Sequence, residues 1–257
     1  MNSIAHADFI AGLAKGLAVL ESFDTERQRL NATLAAQRAG ITRAAARRHL
    51  LTLQHLGYLE SDGQYFWLAP KVLRLSGSYL ASARLPRIVQ PTLQRLSQLT
   101  GLSCSAAVMD GHEMVIVARS SLAQPAVARL AHGLHLGSRL PAHATSTGRI
   151  LLANMDDDAL NQWLNQHPLP RLTAHTITSA QQLLSMIYMA RQQDYALARE
   201  EHELGVQAIA VPLRDLNGVT LAALNAVGSP HTHSFEALER EVLPLLQDAA
   251  RELRPML

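Results

Sequence analysis

The feature that most restricts the fold is a pair of short helical patterns near the start of the chain, separated by a glycine. Residues 32–39 predict one short helix, and Gly40 suits the left-handed position just past its end. Thr42 can cap the following helix. The apolar residues of that helix recur every three or four positions, at Ala46, Leu50, Leu53 and Leu56. Two helices joined by such a tight turn predict a helix-turn-helix.

A β-hairpin is predicted directly after these helices. Residues 58–60 and 65–68 are short β-prone runs, and the Asp62-Gly63 pair between them is a strong turn signal. A hairpin in this position predicts a winged helix, which Pro70 closes. A further helix is predicted ahead of the unit from its apolar face, Leu13, Leu17 and Leu20.

The charge of the chain is small in total but uneven. The 23 basic and 21 acidic residues give a net charge of +2. Residues 1–75 hold nine basic and six acidic residues, and the remainder holds fourteen and fifteen. No acidic residue occurs between Arg27 and Leu59, a stretch with six arginines: Arg27, Arg29, Arg38, Arg43, Arg47 and Arg48. Such a stretch is the footprint of a polyanion contact, although charge alone fits a solvated helical face equally well.

The second helix of a helix-turn-helix meets base edges in the major groove of DNA with its first turns. The candidate residues there are Thr42, Arg43, Ala44, Arg47 and Arg48. The arginine fork matches the guanine acceptors, so Arg43 and Arg47 are predicted to read bases, whereas Arg48 is expected nearer the buried face, pairing with a phosphate or a carboxylate. Contacts to phosphate are predicted for Lys15, Thr33 and Gln64. A winged helix that binds protein instead of DNA is the alternative.

The remaining pattern predicts an α+β arrangement of helices and an antiparallel sheet. A linker helix is predicted at 72–83. Further helices are predicted at 91–100, 148–154, 157–165, 179–193 and 234–253, the last interrupted at Pro244. Strands are predicted at 103–109, 114–119, 124–131, 207–213 and 220–227, and 133–147 is predicted as a loop.

Several function classes lack a sequence signal. One cysteine, Cys104, suits a reducing compartment, and no run approaches the roughly 18 apolar residues of a membrane span, so we expect a cytoplasmic protein without a membrane partner. The sequence has no nucleophile elbow, phosphate-binding loop, dinucleotide fingerprint or C-x-x-C motif, so neither enzymatic activity nor a cofactor is predicted. His231 and His233 have no evident third metal ligand. An enzyme that uses Ser146 or His143 remains the competing hypothesis.

The loop Leu140–Arg149 is a second candidate site. It places small hydroxyl residues, including Thr145, just before a predicted helix, where free N–H groups and the helix dipole favour a carboxylate or phosphate. This composition fits a pocket for a small anionic ligand, and a plain capping loop fits it nearly as well. Arg199, Asn225 and Val227 could form a second wall.

The chain resembles the IclR family of bacterial transcriptional regulators over nearly its whole length. The segments that carry the resemblance are Gly16–Phe23, Ile41–Leu53, Leu56–Glu60, Met109–Gly111, Val117–Arg119, Gly137–Pro141, Thr145–Arg149 and Gly205–Pro212. The Thr42–Arg48 and Gly137–Pro141 segments look most similar to the subgroup that regulates the catabolism of protocatechuate, para-hydroxybenzoate and β-ketoadipate.

The resemblance implies a winged helix-turn-helix at 1–70, a linker helix at 71–85 and a GAF-like α/β effector-binding domain at 86–257. It implies homodimers, often paired into tetramers, on a palindromic double-stranded DNA operator, with RNA polymerase as a partner of an activator. The implied effector is a small carboxylate, either an aromatic acid or a ring-cleavage product.

By the family's pattern, Leu140, Ser146, Thr147 and Asn225 match effector-pocket positions, and His132 lies near another. The sequence departs from many relatives at Ala198-Arg199, where they carry an acidic residue. An inward-pointing Arg199 would favour an anionic ligand.

Overall fold

The computed structural model describes residue 5 and residues 7–24, 27–120 and 134–257. The chain divides into two compact units, Met1–Tyr79 and Leu80–Leu257. The strand predicted at 124–131 lies outside the described residues. Within the described ranges, no helix is both long enough and apolar enough to cross a membrane.

The first unit is a winged helix-turn-helix, as predicted. Its elements are α1 (Ala11–Glu21), α2 (Ala32–Arg38), α3 (Arg43–His55), β1 (Leu59–Ser61) and β2 (Phe66–Leu68). Thr42 caps α3, because its side chain accepts a hydrogen bond from the backbone N–H of Ala45 at 3.3 Å. Gly40 has φ +64°, so the turn between α2 and α3 uses the left-handed conformation that glycine adopts without strain.

A small apolar core joins the three helices to the hairpin. Val19, Leu30 and Leu50 are fully buried and pack with Phe66. Leu30 also exchanges two backbone hydrogen bonds with Phe66, at 3.0 and 2.8 Å, so the segment before α2 pairs with the hairpin. The wing, residues 59–68, is therefore fixed to the helices by both packing and backbone pairing.

The predicted apolar face of α1 is not its buried face. Val19 points into the core, whereas Leu13 is 60% exposed and Leu17 is 47% exposed. The sequence AGLAKGLAVLE is apolar on more than one side of the helix, so periodicity could not decide which stripe would be covered. The outward stripe of α1 is left open in this single chain.

The second unit is an antiparallel sheet with helices on both faces, which confirms the α+β class. The linker helix predicted at 72–83 is present as α4 (Leu73–Ser82), within which the division between the units falls. The sheet contains β3 (Ser103–Asp110), β4 (Glu113–Ser120), β5 (Arg139–Pro141), β6 (Ala196–Arg199), β7 (Gln207–Arg214) and β8 (Thr220–Gly228), in the order β5-β4-β3-β8-β7-β6. The helices are α5 (Arg84–Thr100), α6 (Ser146–Ala153), α7 (Asp157–Gln166), α8 (Ala180–Gln193), α9 (Phe235–Ala237) and α10 (Leu243–Leu253).

Alternation along the strands separates the two faces of this sheet. On one face, Leu224 and Ile209 pack with Leu93 of α5 and Leu246 of α10. On the other face, small residues such as Ala223 pack with side chains of α6 and α8, among them Ile150 and Ala190. The second face carries fewer large side chains, which leaves room beneath α6.

Three elements differ from the sequence-based expectation. The helix predicted from Pro91 begins at Arg84 and continues through Pro91, because burial of Val89 and Leu93 holds it on the sheet despite the missing N–H. The loop predicted at 133–147 contains β5, whose Leu140 pairs with Met114. The four-residue strand β6 was not predicted, since ALAR shows no clear alternation of apolar and polar residues.

The C-terminal helix is interrupted just before Pro244, as predicted. Residues 238–242 form a π-helical turn, in which the N–H of Leu243 reaches back to the carbonyl of Leu238. Proline suits the first turn that follows because it has no N–H to satisfy there.

Gly148 allows α6 to lie directly against the turn that precedes it. A Cβ at this position would lie 2.1 Å from the carbonyl oxygen of Ala142 and 2.3 Å from its Cα. These obstructing atoms are backbone, so they cannot rotate away as a side chain would. The close approach fixes the start of α6 against residues 142–144.

Gly148→Ala is expected to destabilise the protein by about 3 kcal/mol, because an added methyl group forces the backbone apart in a packed interior. The matched control is Gly77→Ala in α4, where a Cβ meets nothing within 4 Å. That control should be neutral or slightly stabilising, since alanine is the better helix former. Urea unfolding of both variants provides the measurement, and equal stabilities would contradict the close-packing argument.

Candidate functional site

The basic stretch of the first unit divides into two groups of arginines. Arg29 pairs with Asp62 at 2.5 Å and lies over the ring of Trp67 at 4.6 Å, and Arg38 pairs with Asp24. Both acidic partners lie outside the acid-free stretch, one on each side of it. Two of the six charges are therefore neutralised inside the unit.

The arginines of α3 form the second group. Arg43, Arg47 and Arg48 are exposed, and none of them forms an ion pair within the described ranges. Arg48 was expected nearer the buried face, but α3 turns Ala46 and Leu50 inward and leaves Arg48 in solvent. Thr42 and Ala44 are exposed beside these arginines, so the start of α3 presents small side chains and uncompensated positive charge.

The residues predicted to contact phosphate are exposed on three other elements. Lys15 lies on α1, Thr33 in the first turn of α2, and Gln64 in the turn of the wing. Asp62 holds that turn by accepting hydrogen bonds from the N–H groups of Tyr65 at 2.8 Å and Gln64 at 3.0 Å. These bonds, with a further contribution from Arg29, hold the pKa of Asp62 below its usual range.

The second unit contains a cavity of about 720 Å³, including the space at its mouth. It lies on the sheet face covered by α6 and is bounded by β3, β4, β8 and the segment after β6. The predicted pocket residues that line it are Leu140, Thr145, Ser146, Thr147 and Asn225. His132 lies outside the described residues.

Four buried polar atoms among the cavity-lining residues have no hydrogen-bond partner in the described part of the chain. They are Ser103 Oγ, Ser146 Oγ, Thr147 Oγ1 and Gln207 Oε1. Each buried polar atom left unpaired costs about 1–3 kcal/mol, so native proteins keep few of them without a reason. Their concentration around one cavity points to a polar ligand.

The start of α6 adds backbone donors to the same wall. Thr145 caps the helix by accepting a hydrogen bond from the N–H of Gly148 at 3.1 Å. The N–H groups of Ser146 and Thr147 belong to the first turn and have no acceptor within the helix. Free N–H groups and the positive end of the helix dipole favour an anionic group here.

Arg199 does not line the cavity. It follows Ala198 on β6, and successive side chains on a strand point to opposite faces. Ala198 lies in the cavity wall, whereas the Arg199 side chain is 56% exposed and its guanidinium lies 5.8 Å from the ring centroid of Phe235. The expectation of an inward-pointing Arg199 is thereby corrected. Val227, the third residue of the predicted second wall, does line the cavity.

A buried ion pair holds the segment after β6 against α6. Arg149 is 1% exposed and pairs with Glu201, and it also donates to the carbonyl of Leu197 at 2.7 Å. Glu201 and its neighbours Glu200, His202 and Glu203 line the cavity. Burial lowers the pKa of the His202 imidazole, so this wall is acidic overall at neutral pH.

Sequence reasoning missed several lining residues because they lie on strands. Ser103 and Ser105 alternate on β3, which places both on the α6 face, and Asn225 Oδ1 accepts hydrogen bonds from the Ser105 N–H at 3.2 Å and hydroxyl at 2.6 Å. Arg119, Gln207 and the apolar pair Met114 and Ile116 were also missed. Polar residues at alternate positions of an otherwise apolar strand were the available signal.

The competing enzymatic and metal hypotheses find no support in the described residues. A nucleophilic Ser146 would need a base, yet its hydroxyl has no partner, and His143 Nε2 instead contacts the carbonyl of Pro170 at 3.1 Å. Among the described residues, no group of three or more His, Cys, Asp or Glu could hold a metal ion.

Comparison with known protein families matches both parts of the chain. Residues 77–254 match the family described as "Bacterial transcriptional regulator IclR C-terminal", and residues 12–63 match "IclR helix-turn-helix domain".

Individual relatives align over nearly the whole chain. The "Pca operon regulatory protein" of Acinetobacter baylyi is 53% identical over 254 residues, which cover 99% of this chain and 91% of that protein. The "p-hydroxybenzoate hydroxylase transcriptional activator" of the same organism is 51% identical over 248 residues, with coverage of 96% and 92%. The crystal structure of a double mutant of the PobR inducer-binding domain from Acinetobacter, in complex with 3-hydroxybenzoic acid, has a TM-score of 0.62 at 43% identity and covers 67% of this chain and 98% of that one.

Thr147→Val is expected to leave the ligand-free protein as stable as before, or more stable by about 1 kcal/mol, because the variant removes an unpaired buried hydroxyl and keeps the side-chain shape. Thr176→Val is the matched control. Thr176 Oγ1 donates to the Glu201 carbonyl at 2.6 Å and accepts from the Thr173 N–H at 2.8 Å, so its loss should cost about 1–3 kcal/mol. Chemical unfolding of both proteins without ligand checks the contrast, and a Thr147→Val loss as large as that of the control would contradict it.

Proposed function

Because the chain belongs to the IclR family of bacterial transcriptional regulators, it is a DNA-binding regulator and not an enzyme, and we propose that a small aromatic acid controls it from the cavity beneath α6. The observation that carries the proposal is the set of four unpartnered buried polar atoms around that cavity. A bound acid would supply the missing hydrogen bonds. The 3-hydroxybenzoic acid complex of the related inducer-binding domain supports an aromatic acid as the ligand class.

We assign the work of the protein to three segments. Residues 1–70 bind the operator, 71–85 form the linker, and 86–257 bind the effector. An effector alters DNA affinity by as much as its own affinity differs between two arrangements of the protein. In this proposal the linker helix carries that difference to the winged helix.

We assign base reading to Arg43 and Arg47, with Thr42 and Ala44 allowing close approach of α3 to the groove. Their exposure and lack of internal ion pairs support this assignment. Arg48 is assigned to phosphate. The further phosphate contacts are assigned to Lys15, Thr33 and Gln64.

We propose that the protein is a homodimer on a palindromic operator in the cytoplasm, with pairing of dimers into tetramers as the next level of assembly. The exposed apolar stripe of the first unit supports a dimer contact there, since a second copy would cover it; its members are Phe9, Ile10, Leu13 and Leu17. Two winged helices would then meet half-sites about one helical turn apart. For an activator, RNA polymerase is the remaining partner.

Arg47→Ala is expected to weaken operator binding by about 1–3 kcal/mol, because a base contact is lost, while binding to random DNA changes much less. Fluorescence anisotropy with operator and scrambled duplexes at fixed salt provides the measurement. Arg27→Ala is the control, since Arg27 is an exposed arginine of the same unit outside α3. Equal losses on both duplexes would remove Arg47 from base reading.

Hydroxybenzoates are expected to raise the unfolding temperature of the full-length protein and to change its operator affinity. A ligand at about 100 times its Kd that binds the folded state alone adds about 2.7 kcal/mol of stability. Thr147→Val should reduce this stabilisation, because its hydroxyl is assigned to the ligand. Differential scanning fluorimetry and anisotropy provide the two readouts, and the absence of any shift across aromatic acids would overturn the proposed effector class.

A further inference from the structure

We propose that the cavity binds its effector in one orientation, with a carboxylate at Arg119 and a hydrogen-bond donor at the acidic wall formed by residues 200–203. The effector is therefore an aromatic monocarboxylate with a hydroxyl group, and dicarboxylates are rejected. This inference rests on the proposed function and adds to it the charge and polarity of the ligand.

Arg119 is a cation without an anion. It lines the cavity, is half-buried, and donates through Nη1 to the carbonyl of Leu134. Within the described ranges no carboxylate pairs with it, whereas the other cavity-side arginine, Arg149, is paired with Glu201. Burial lowers the pKa of the Arg119 guanidinium, which still remains charged at neutral pH. A ligand carboxylate would compensate this charge.

The sheet places further hydrogen-bonding groups in line with Arg119. Arg119 pairs with Ser105 across β4 and β3, and Ser105 pairs with Asn225 across β3 and β8. Residues paired in this way share a face of the sheet. Because Asn225 Oδ1 already accepts from Ser105, the Asn225 amide group has donors left for a ligand. One side of the cavity therefore offers a cation with neighbouring polar groups.

The opposite wall has the reverse charge. Residues 200–203 follow β6, which is separated from β4 by β3, β8 and β7, a span of about 19 Å across the sheet at about 4.8 Å per strand. Arg149 balances Glu201, but Glu200 has its nearest cationic groups, on Arg199 and His175, 3.9 Å away, and Glu203 has no ion pair in the described chain. A hydroxyl group can donate to such a wall, whereas a second carboxylate would be repelled by it.

The surface between the two walls is small and apolar. Val227, Ala208 and Ala198 pair in sequence across β8, β7 and β6, and all three line the cavity. Met114 and Ile116 of β4 contribute larger apolar side chains. This surface suits the faces of an aromatic ring. A flexible ring-cleavage diacid would place a charge at each end and match only one of them.

Isothermal titration of the full-length protein with three probes tests the assignment. The probes are 4-hydroxybenzoate, 4-hydroxybenzyl alcohol, which lacks the carboxylate, and terephthalate, which carries a carboxylate in place of the hydroxyl. We expect 4-hydroxybenzoate to bind at least 10-fold more tightly than either of the others.

Arg119→Gln should weaken 4-hydroxybenzoate at least 10-fold and change the affinity for the alcohol less than 3-fold. Arg119→Lys should recover part of the loss. Arg95→Gln is the control, because Arg95 is an exposed arginine of the same unit that pairs with Glu252 away from the cavity. Thermal unfolding of each variant verifies that it folds.

The outcomes separate this inference from the proposed function. Tighter binding of terephthalate, or equal losses for the acid and the alcohol in Arg119→Gln, would overturn the orientation while leaving an aromatic effector in place. Failure of every aromatic acid to bind would overturn both. Glu200→Gln with Glu203→Gln should improve terephthalate binding and not 4-hydroxybenzoate binding, and an unchanged preference would remove the acidic wall from selection.

Discussion

The second unit depends on one close contact, the packing of α6 on the backbone of Ala142 through Gly148. This contact buries the first turn of α6, so the hydroxyl groups of Ser146 and Thr147 end in an interior without partners. It also carries Arg149 to the centre of the unit, where the ion pair with Glu201 forms. The cavity, its unpaired polar groups and its acidic wall all follow from the position of this helix.

The buried pair of Arg149 and Glu201 connects two walls of the cavity that are far apart in sequence. Buried ion pairs contribute little net stability, but breaking one leaves a costly uncompensated charge. A segment held in this way has few alternative positions, which favours a defined cavity in the free protein. Glu201 is thereby both part of the wall and the group that fixes it.

The sequence was sufficient for the winged helix, because its caps, glycine turn and Asp-Gly hairpin are local signals read from residues 31–68. It was also sufficient for the loop before α6, where the hydroxyl residues are contiguous. Periodicity could not choose the buried face of α1, and it gave no signal for β6, so the direction of Arg199 was open. Arg119 and Ser105 were missed because a site shared between strands depends on register, which is set by the whole sheet.

The internal ion pairs of Arg29 and Arg38 bear on how the protein would search DNA. A cation already held by Asp62 or Asp24 displaces few counterions from a duplex, so at most about half of the six arginines contribute to the salt-dependent attraction. With a slope of about −0.9 per phosphate neutralised, the non-specific affinity of the winged helix falls less steeply with ionic strength than its sequence suggests. The neutralised arginines shift the balance from indiscriminate adhesion towards recognition by α3.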